Sequence, residues 1–526
     1  MGGERDYDFE EKGGAVNGYP PSDGYMREDE SVASQPPMKQ YKGVKGRVEQ
    51  GMDFLVKHGV EERGIQPLPE TEREPNLNFF SYVRQAILWA GMNTNILTFS
   101  EGMTGPGIFA LDLKTSVGVI LGFNAVMCIF PAYVATNGPK TGMRQMIQAR
   151  YGMGYFGAMV IGLANVLTLL GYLSLTSILG GQCLSMASGS DMSWTVGIIV
   201  LAVIGLCMSF IGLRALHILA FTFVPVVVLL YIVLIGVTGS RLHYAVNETA
   251  QAAAKVTASG VLGFCASQVG FTASYSGIAS DFTTHFPAST PRLPLFLAVY
   301  CGLFIPIVLI QIFGAACQAA AFSIPTWKGA AEIGAPDLLF QMSGGGGGAK
   351  FVMVLFCLSV VTNVATTIYS AGLSGQIVLP FLIKVPRYFL AIIVTAIYLP
   401  IAIVGSDHFF DILRNFLAVL GYWTALYLPP AIIEPLIFRS PVSNITYPVE
   451  IWNKISKLPI GLAFLFSTCV GIPVVACAMA TTWWEGWIAR AIPGGDAGDL
   501  AFEIAFCAVA IAFIPARWLE RRVTHR

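Results

Sequence analysis

Glu101 stands inside a run of apolar residues from Ala86 to Leu111, long enough to cross a bilayer. A charged carboxyl at that depth costs roughly 2.5 kcal/mol or more, and ionisable groups kept there ordinarily serve a transported ion, proton or substrate. Glu101 has two readings: a proton carrier, or a cap on the exposed amides of a second half-helix, where negative charge is favoured. Asp281 is a second candidate for proton coupling, or a gate residue at the membrane interface beside Thr283, Thr284 and His285. Asn363 and Thr367 lie within an apolar helix, where an amide must find a partner, so they either bridge helices or meet a ligand. Arg144 and Arg150 anchor topology or close an inward gate. Tyr172 and Tyr275 read from their own residues as packing or interfacial aromatics, or as faces for a flat ring. All ten cysteines lie in or at the ends of apolar runs with no metal-ligand spacing, so no metal is expected.

The elements that would position these groups are unusual. The first apolar stretch is expected to break at Glu101–Gly107, where Gly102, Gly105, Pro106 and Gly107 gather, and the stretch from about Val261 at Ser274–Gly277. Unwound backbone facing lipid would lack hydrogen-bond partners, so such breaks survive only where protein covers them or a cavity adjoins them. With 54% hydrophobic and 12% charged residues and a mean hydropathy of +0.63, the 526-residue chain reads as an all-α polytopic membrane protein. Net charge is zero, which gives no support to a nucleic-acid partner. No nucleophile elbow, metal triad or phosphate loop argues for an enzyme.

Twelve spans are expected, near 86–111, 115–136, 155–180, 192–213, 215–237, 260–280, 294–321, 350–374, 386–404, 408–437, 458–483 and 498–517. Basic residues concentrate on the side of the termini, which places both termini in the cytoplasm. The sequon at Asn247 then lies outside and the one at Asn444 inside. Breaks in the first and sixth helices suggest an inverted five-plus-five repeat with its site at midplane. The expected organisation is a cytoplasmic tail, largely disordered, over 1–80, repeats over 81–237 and 238–440, and two peripheral helices with a short cytoplasmic C-terminus over 441–526. The first 30 residues are acidic and Gly-rich without an apolar core, so insertion is expected to begin at the first span. Within the tail, Gly59–Arg73 is expected to pack under the bundle.

Several strings resemble the purine-cytosine permease branch of the nucleobase-cation-symport transporters, fungal type. They are Gly102, Gly105-Pro106, Phe109 and Leu111; Gly138 through Arg144 with Ala149-Arg150-Tyr151-Gly152; Gly180-Gly181-Gln182; Gly421-Tyr422-Trp423; and Gly494-Gly495-Asp496 leading to Arg517 and Glu520. The resemblance covers roughly residues 59 to 522. It implies the five-plus-five fold, cation-coupled uptake across the plasma membrane, and flat nitrogen heterocycles as ligands. It also implies a substrate site of Trp89, Asn93, Tyr172, Thr176, Tyr275, Asn363 and Thr367.

The chain departs from that family pattern. Tyr172 and Tyr275 stand where the family has stacking tryptophans, Thr176 stands for an asparagine, and of three asparagines in the eighth helix Asn363 alone is kept. Two tyrosines can still sandwich a ring, whereas a hydroxyl in place of a carboxamide loses the paired donor and acceptor that match an amidine edge. The expected function is proton-coupled symport of a nucleobase or a related heterocycle, with vitamin B6 or an allantoin-type compound as the alternative ligand and sodium as the less favoured coupling ion. A transporter-like sensor that binds without pumping is the alternative of another class.

Overall fold

The computed structural model of the chain describes residues 64–439, 447–493 and 497–526. Most of the expected tail, and Asn444 with its sequon, lie outside the described residues. Those described form helices and short turns, with a single isolated bridge between Ala480 and Glu485.

The main helices are α1 (Phe79–Asn93), α2 (Ile96–Gly107), α3 (Leu113–Met127), α4 (Gln145–Ser188), α5 (Trp194–Ile211), α6 (Leu213–Thr238), α7 (Ala258–Ala273), α8 (Arg292–Ala321), α9 (Gly347–Val378), α10 (Arg387–Gly405), α11 (Phe409–Ile433), α12 (Leu462–Ala478) and α13 (Ala501–Thr524). Among the described residues, eight helical segments are long and apolar enough to cross a membrane, one of them, Arg387–Phe438, containing both α10 and α11. Large apolar side chains such as Phe156, Leu229, Ile401 and Ile511 are exposed on the outside of the bundle. That pattern suits a lipid solvent.

The first stretch is interrupted, but not at Glu101–Gly107. Helix α2 runs unbroken through Glu101, and the break falls at Thr94–Asn95, between α1 and α2. Asn95 is extended, at φ −152° and ψ 176°, and its Oδ1 accepts from the amides of Leu97 and Thr98. An asparagine cap therefore starts a new helix where sequence composition drew attention to glycine and proline further on. Pro106 sits one residue from the C-terminal end of the helix, so the ladder bond it removes, to the Gly102 carbonyl, is lost where the helix is about to stop. Glu101, in mid-helix, caps nothing, which removes the capping alternative.

The second interruption falls where the residues place it. Helix α7 stops at Ala273, and two 3-10 turns, Ser274–Gly277 and Ala279–Phe282, carry the chain on, wholly buried. Helix α9 is continuous and nearly all buried through its centre. Helix α4 bends at Gly154, whose φ of +75° is open to glycine at little cost, and a Cβ there would lie 2.8 Å from the Ile460 carbonyl. Beneath the bundle, the described part of the membrane-proximal tract docks: the Ile65 amide donates to Gln376 Oε1 at 3.0 Å, and Arg73 to the Pro139 carbonyl at 2.6 Å.

Candidate functional site: a buried aromatic and amide cluster

The last turn of α1, the middle of α4, the end of α7 and the middle of α9 converge. Tyr172 and Tyr275 face each other, with ring centroids 6.0 Å apart and planes 14° from parallel. Trp89 meets Tyr275 edge-on at 5.7 Å and Phe282 at 5.6 Å. The Tyr275 hydroxyl donates to Asn93 Oδ1 at 3.0 Å, and the Tyr172 hydroxyl to the Phe271 carbonyl at 2.9 Å. Asn363 donates to the Met92 carbonyl at 2.7 Å, and its Oδ1 accepts from Thr176 and Thr367, each at 3.4 Å. Every one of the seven expected substrate residues lies in this cluster, and none is more than 5% exposed.

The arrangement differs from the expected sandwich in one respect. A ring held between two others needs their planes roughly 7 Å apart, twice the ~3.5 Å contact distance of carbon atoms. At 6.0 Å between centroids the two tyrosines touch each other instead. Thr176 also spends its hydroxyl on the Tyr172 carbonyl, at 2.6 Å, the bond a helical threonine makes most readily.

Glu101 lies apart from the aromatic pair. Its Oε1 accepts from Ser267 at 2.7 Å and Gln268 at 3.0 Å, while Oε2 is buried without a hydrogen-bond partner. Gln268 in turn accepts from Asn124 at 2.8 Å, Asn124 donates to Gln311 at 3.0 Å, and Thr272 donates to Asn124. Four helices, α2, α3, α7 and α8, are thus tied by one polar network inside an apolar bundle. Asn124, Ser267, Gln268, Thr272 and Gln311 are absent from the sequence-derived site. A lone amide in mid-span, as at Asn124 or Gln311, is the signal that could have found them.

Asp281 joins a different group. Its carboxylate accepts from the Gln145 amide at 2.9 Å, and its carbonyl accepts from Arg144. Arg144 also donates to the Tyr369 hydroxyl at 2.8 Å, and Gln145 donates to that of Tyr427 at 2.7 Å. The contacts join the start of α4, the turn after α7, α9 and α11 immediately beneath the aromatic cluster. Arg150 takes no part. It stacks on Tyr155 at 4.5 Å and donates to the Trp452 carbonyl at 3.1 Å, which buries it under the segment before α12.

Residues 69–429 match the family model described as permease for cytosine/purines, uracil, thiamine, allantoin. The chain belongs to this permease family. Similar relatives include the purine-cytosine permease FCY2 of Saccharomyces cerevisiae, 30% identical over 476 residues, covering 89% of this chain and 87% of the relative. Purine-cytosine permease fcyB of Emericella nidulans is 28% identical over 88% of this chain and 89% of its own. The vitamin B6 transporter TPN1 of Saccharomyces cerevisiae is 28% identical over 88% of each. Among solved structures, the nucleobase-cation-symport-1 family transporter Mhp1, closed with bromovinylhydantoin bound, superposes with a TM-score of 0.67 at 14% identity, covering 88% of this chain and 96% of Mhp1. That likeness establishes the transporter fold. As a member of the permease family, the chain is a multi-pass membrane transport protein and not an enzyme.

Proposed function

We propose that this permease is a secondary active transporter, which carries a nucleobase of the cytosine or purine class, or a closely related planar nitrogen heterocycle, into the cell by proton symport across the plasma membrane. The observation that carries the reading is the near-parallel pair Tyr172 and Tyr275, ringed by Asn93, Asn363 and Thr176 beside a helix interruption. Aromatic faces above and below with amide and hydroxyl groups at the edge are what a flat, hydrogen-bonding ring requires. The ligand enters by parting the tyrosines, and Trp89 and Thr367 complete the wall.

In this reading the eight long segments, with Arg387–Phe438 divided at Ser406–His408, the shorter α12 and the two interrupted stretches make twelve spans with both termini in the cytoplasm. Residues 81–237 and 238–440 form two inverted repeats and 441–526 the peripheral part. One bundle rocks against the other, and the Arg144, Asp281 and Tyr369 contacts close the inward path. Glu101 carries the proton at its unpartnered oxygen, and its network couples α2 to α7 and α8. Sodium held by hydroxyls and carbonyls near a break is the rival coupling ion.

A second reading, vitamin B6 as the ligand, is favoured by Thr176. A single rotating hydroxyl suits a hydroxylated pyridine better than it suits an amidine edge, and a vitamin B6 transporter is among the relatives.

Uptake by cells expressing the chain, measured for cytosine, adenine, hypoxanthine, uracil, allantoin, pyridoxine and nicotinamide, tests the substrate. Accumulation that rises as external pH falls, without sodium, supports the coupling. Glu101→Gln is expected to abolish accumulation while leaving ligand binding; full concentrative uptake by that variant would remove Glu101 from the mechanism. Saturable binding with no exchange of labelled ligand in vesicles would instead mark a sensor.

A further inference from the structure

A cavity of about 600 Å³ opens between the starts of α1 and α6, lined by Glu74, Arg84, Arg214, His217, Phe221 and His285 among others. His217 is 9% exposed, and neither of its ring nitrogens has a hydrogen-bond partner. His285 is in the same condition, its Nε2 lying 3.7 Å from Glu74, too far for a hydrogen bond. Glu74 is engaged by Arg84 in an ion pair. Arg214 is exposed at the mouth. The other charges acting on the two imidazoles, Arg84 and Arg144, are both cationic.

The seam does not end there. Further along the same two helices a second cavity, of about 280 Å³, is walled by Val224, Val228, Tyr231 and Ile232 of α6, Ala90 and Thr94 of the first stretch, and Leu309 of α8. Its walls are almost wholly apolar. Phe80, 74% exposed, lines an adjoining cavity that shares Glu74, Arg84 and Phe221 with the first, and Ile218, also exposed, is part of the first cavity's wall. A polar, cationic opening that leads into an apolar groove along the outside of a bundle has the profile of a phospholipid.

We propose that this seam binds one anionic phospholipid, its headgroup phosphate at Arg214, His217 and Arg84 and an acyl chain along Val224, Val228 and Ile232. A free phosphate would make no use of the groove, which is why a lipid is the occupant named. The position also gives the lipid a handle on the broken helix. Tyr231, in the groove wall, donates to the Asn95 carbonyl at 2.9 Å, and Thr94, buried with an unpartnered hydroxyl, lies beside it. An acyl chain there would pack against the break itself. The site is independent of which heterocycle is carried.

The test uses the full-length chain purified in detergent, with thermal unfolding and native mass spectrometry as readouts. Phosphatidylinositol is expected to bind and to raise the melting temperature more than phosphatidylcholine with the same acyl chains. Arg214→Gln, a change at an exposed residue, is expected to weaken phosphatidylinositol about fivefold, the effect of one cation near a lipid headgroup, and to weaken phosphatidylcholine, whose phosphate is offset by its own ammonium, by less. Val228→Trp, which fills the groove without altering charge, is expected to weaken both lipids. Equal binding of the two lipids, or Arg214→Gln with undiminished preference for phosphatidylinositol, overturns the proposal. Stabilisation reproduced in full by inorganic phosphate overturns the lipid and leaves a phosphate site.

Discussion

The hydroxyl of Tyr275 does more than close a hydrogen bond, because its partner, Asn93 Oδ1, is wholly buried and has no water to fall back on. Tyr275→Phe keeps the ring face and leaves that carbonyl unsatisfied, a loss of about 1–3 kcal/mol. We expect the KM for the transported ring to rise about tenfold with protein level unchanged, whereas Tyr275→Ala, which removes the face as well, should lose uptake. In the proposed site Thr176 is the position that sets specificity. Thr176→Asn restores a donor and an acceptor side by side and should move preference toward cytosine and adenine and away from pyridoxine, read as a ratio of kcat/KM values. Both aromatic partners were legible in the residues, because a family pattern of spaced aromatics and amides survives the exchange of tryptophan for tyrosine. Their direct contact was not, since nothing in residue spacing sets the distance between two helices.

The interruption between α1 and α2 belongs to the element scale. Asn95 holds it with an Oδ1 that caps α2 and an Nδ2 that donates to the Met92 carbonyl at 2.7 Å. Asn95→Ala should cost about 0.5–2 kcal/mol from the lost cap, the Met92 carbonyl still accepting from Asn363, and thermal unfolding with and without substrate measures it. Asn95→Ser should recover part. Gly102 is less forgiving, because a Cβ there would lie 2.0 Å from the Gln311 carbonyl oxygen, so Gly102→Ala must force α2 and α8 apart and is expected to prevent accumulation of folded protein. These two residues show what sequence conveyed and what it hid. The glycines after Glu101 looked like a break, yet Gly102 serves a close helix crossing, and the true break rests on an asparagine whose capping role depends on backbone angles invisible in composition. The amides at 124, 268 and 311 escaped notice for a related reason: each looks minor in its own helix and becomes a network once the helices pack.

At the scale of the whole molecule, α12 and α13 are fastened to the end of α11 by buried charge. Arg517 of α13 donates to both Glu434 oxygens, at 2.9 and 3.0 Å, and to Glu520 at 3.1 Å; Glu520 in turn accepts from the amides of Gly461 and Leu462 at the start of α12. Removing one member of such a group strands the others, a cost of about 3–5 kcal/mol. Arg517→Ala should therefore destabilise the whole bundle in a detergent melt, with no specific effect on KM in whatever protein folds. Arg150, expected to anchor topology or close an inward gate, stacks on Tyr155 and donates to the Trp452 carbonyl, so its contacts run to the segment before α12 and not to the Arg144 and Asp281 group.

The mutual clasp of Tyr172 and Tyr275 has one more consequence. Any solute that separates two phenol faces forfeits their attraction and recovers it only if it brings a face of its own. Aliphatic osmolytes and hydrated ions bring none. In the proposed mechanism the barrier to leakage then lies in the recognition element itself, and selectivity against non-aromatic cargo needs no additional filter.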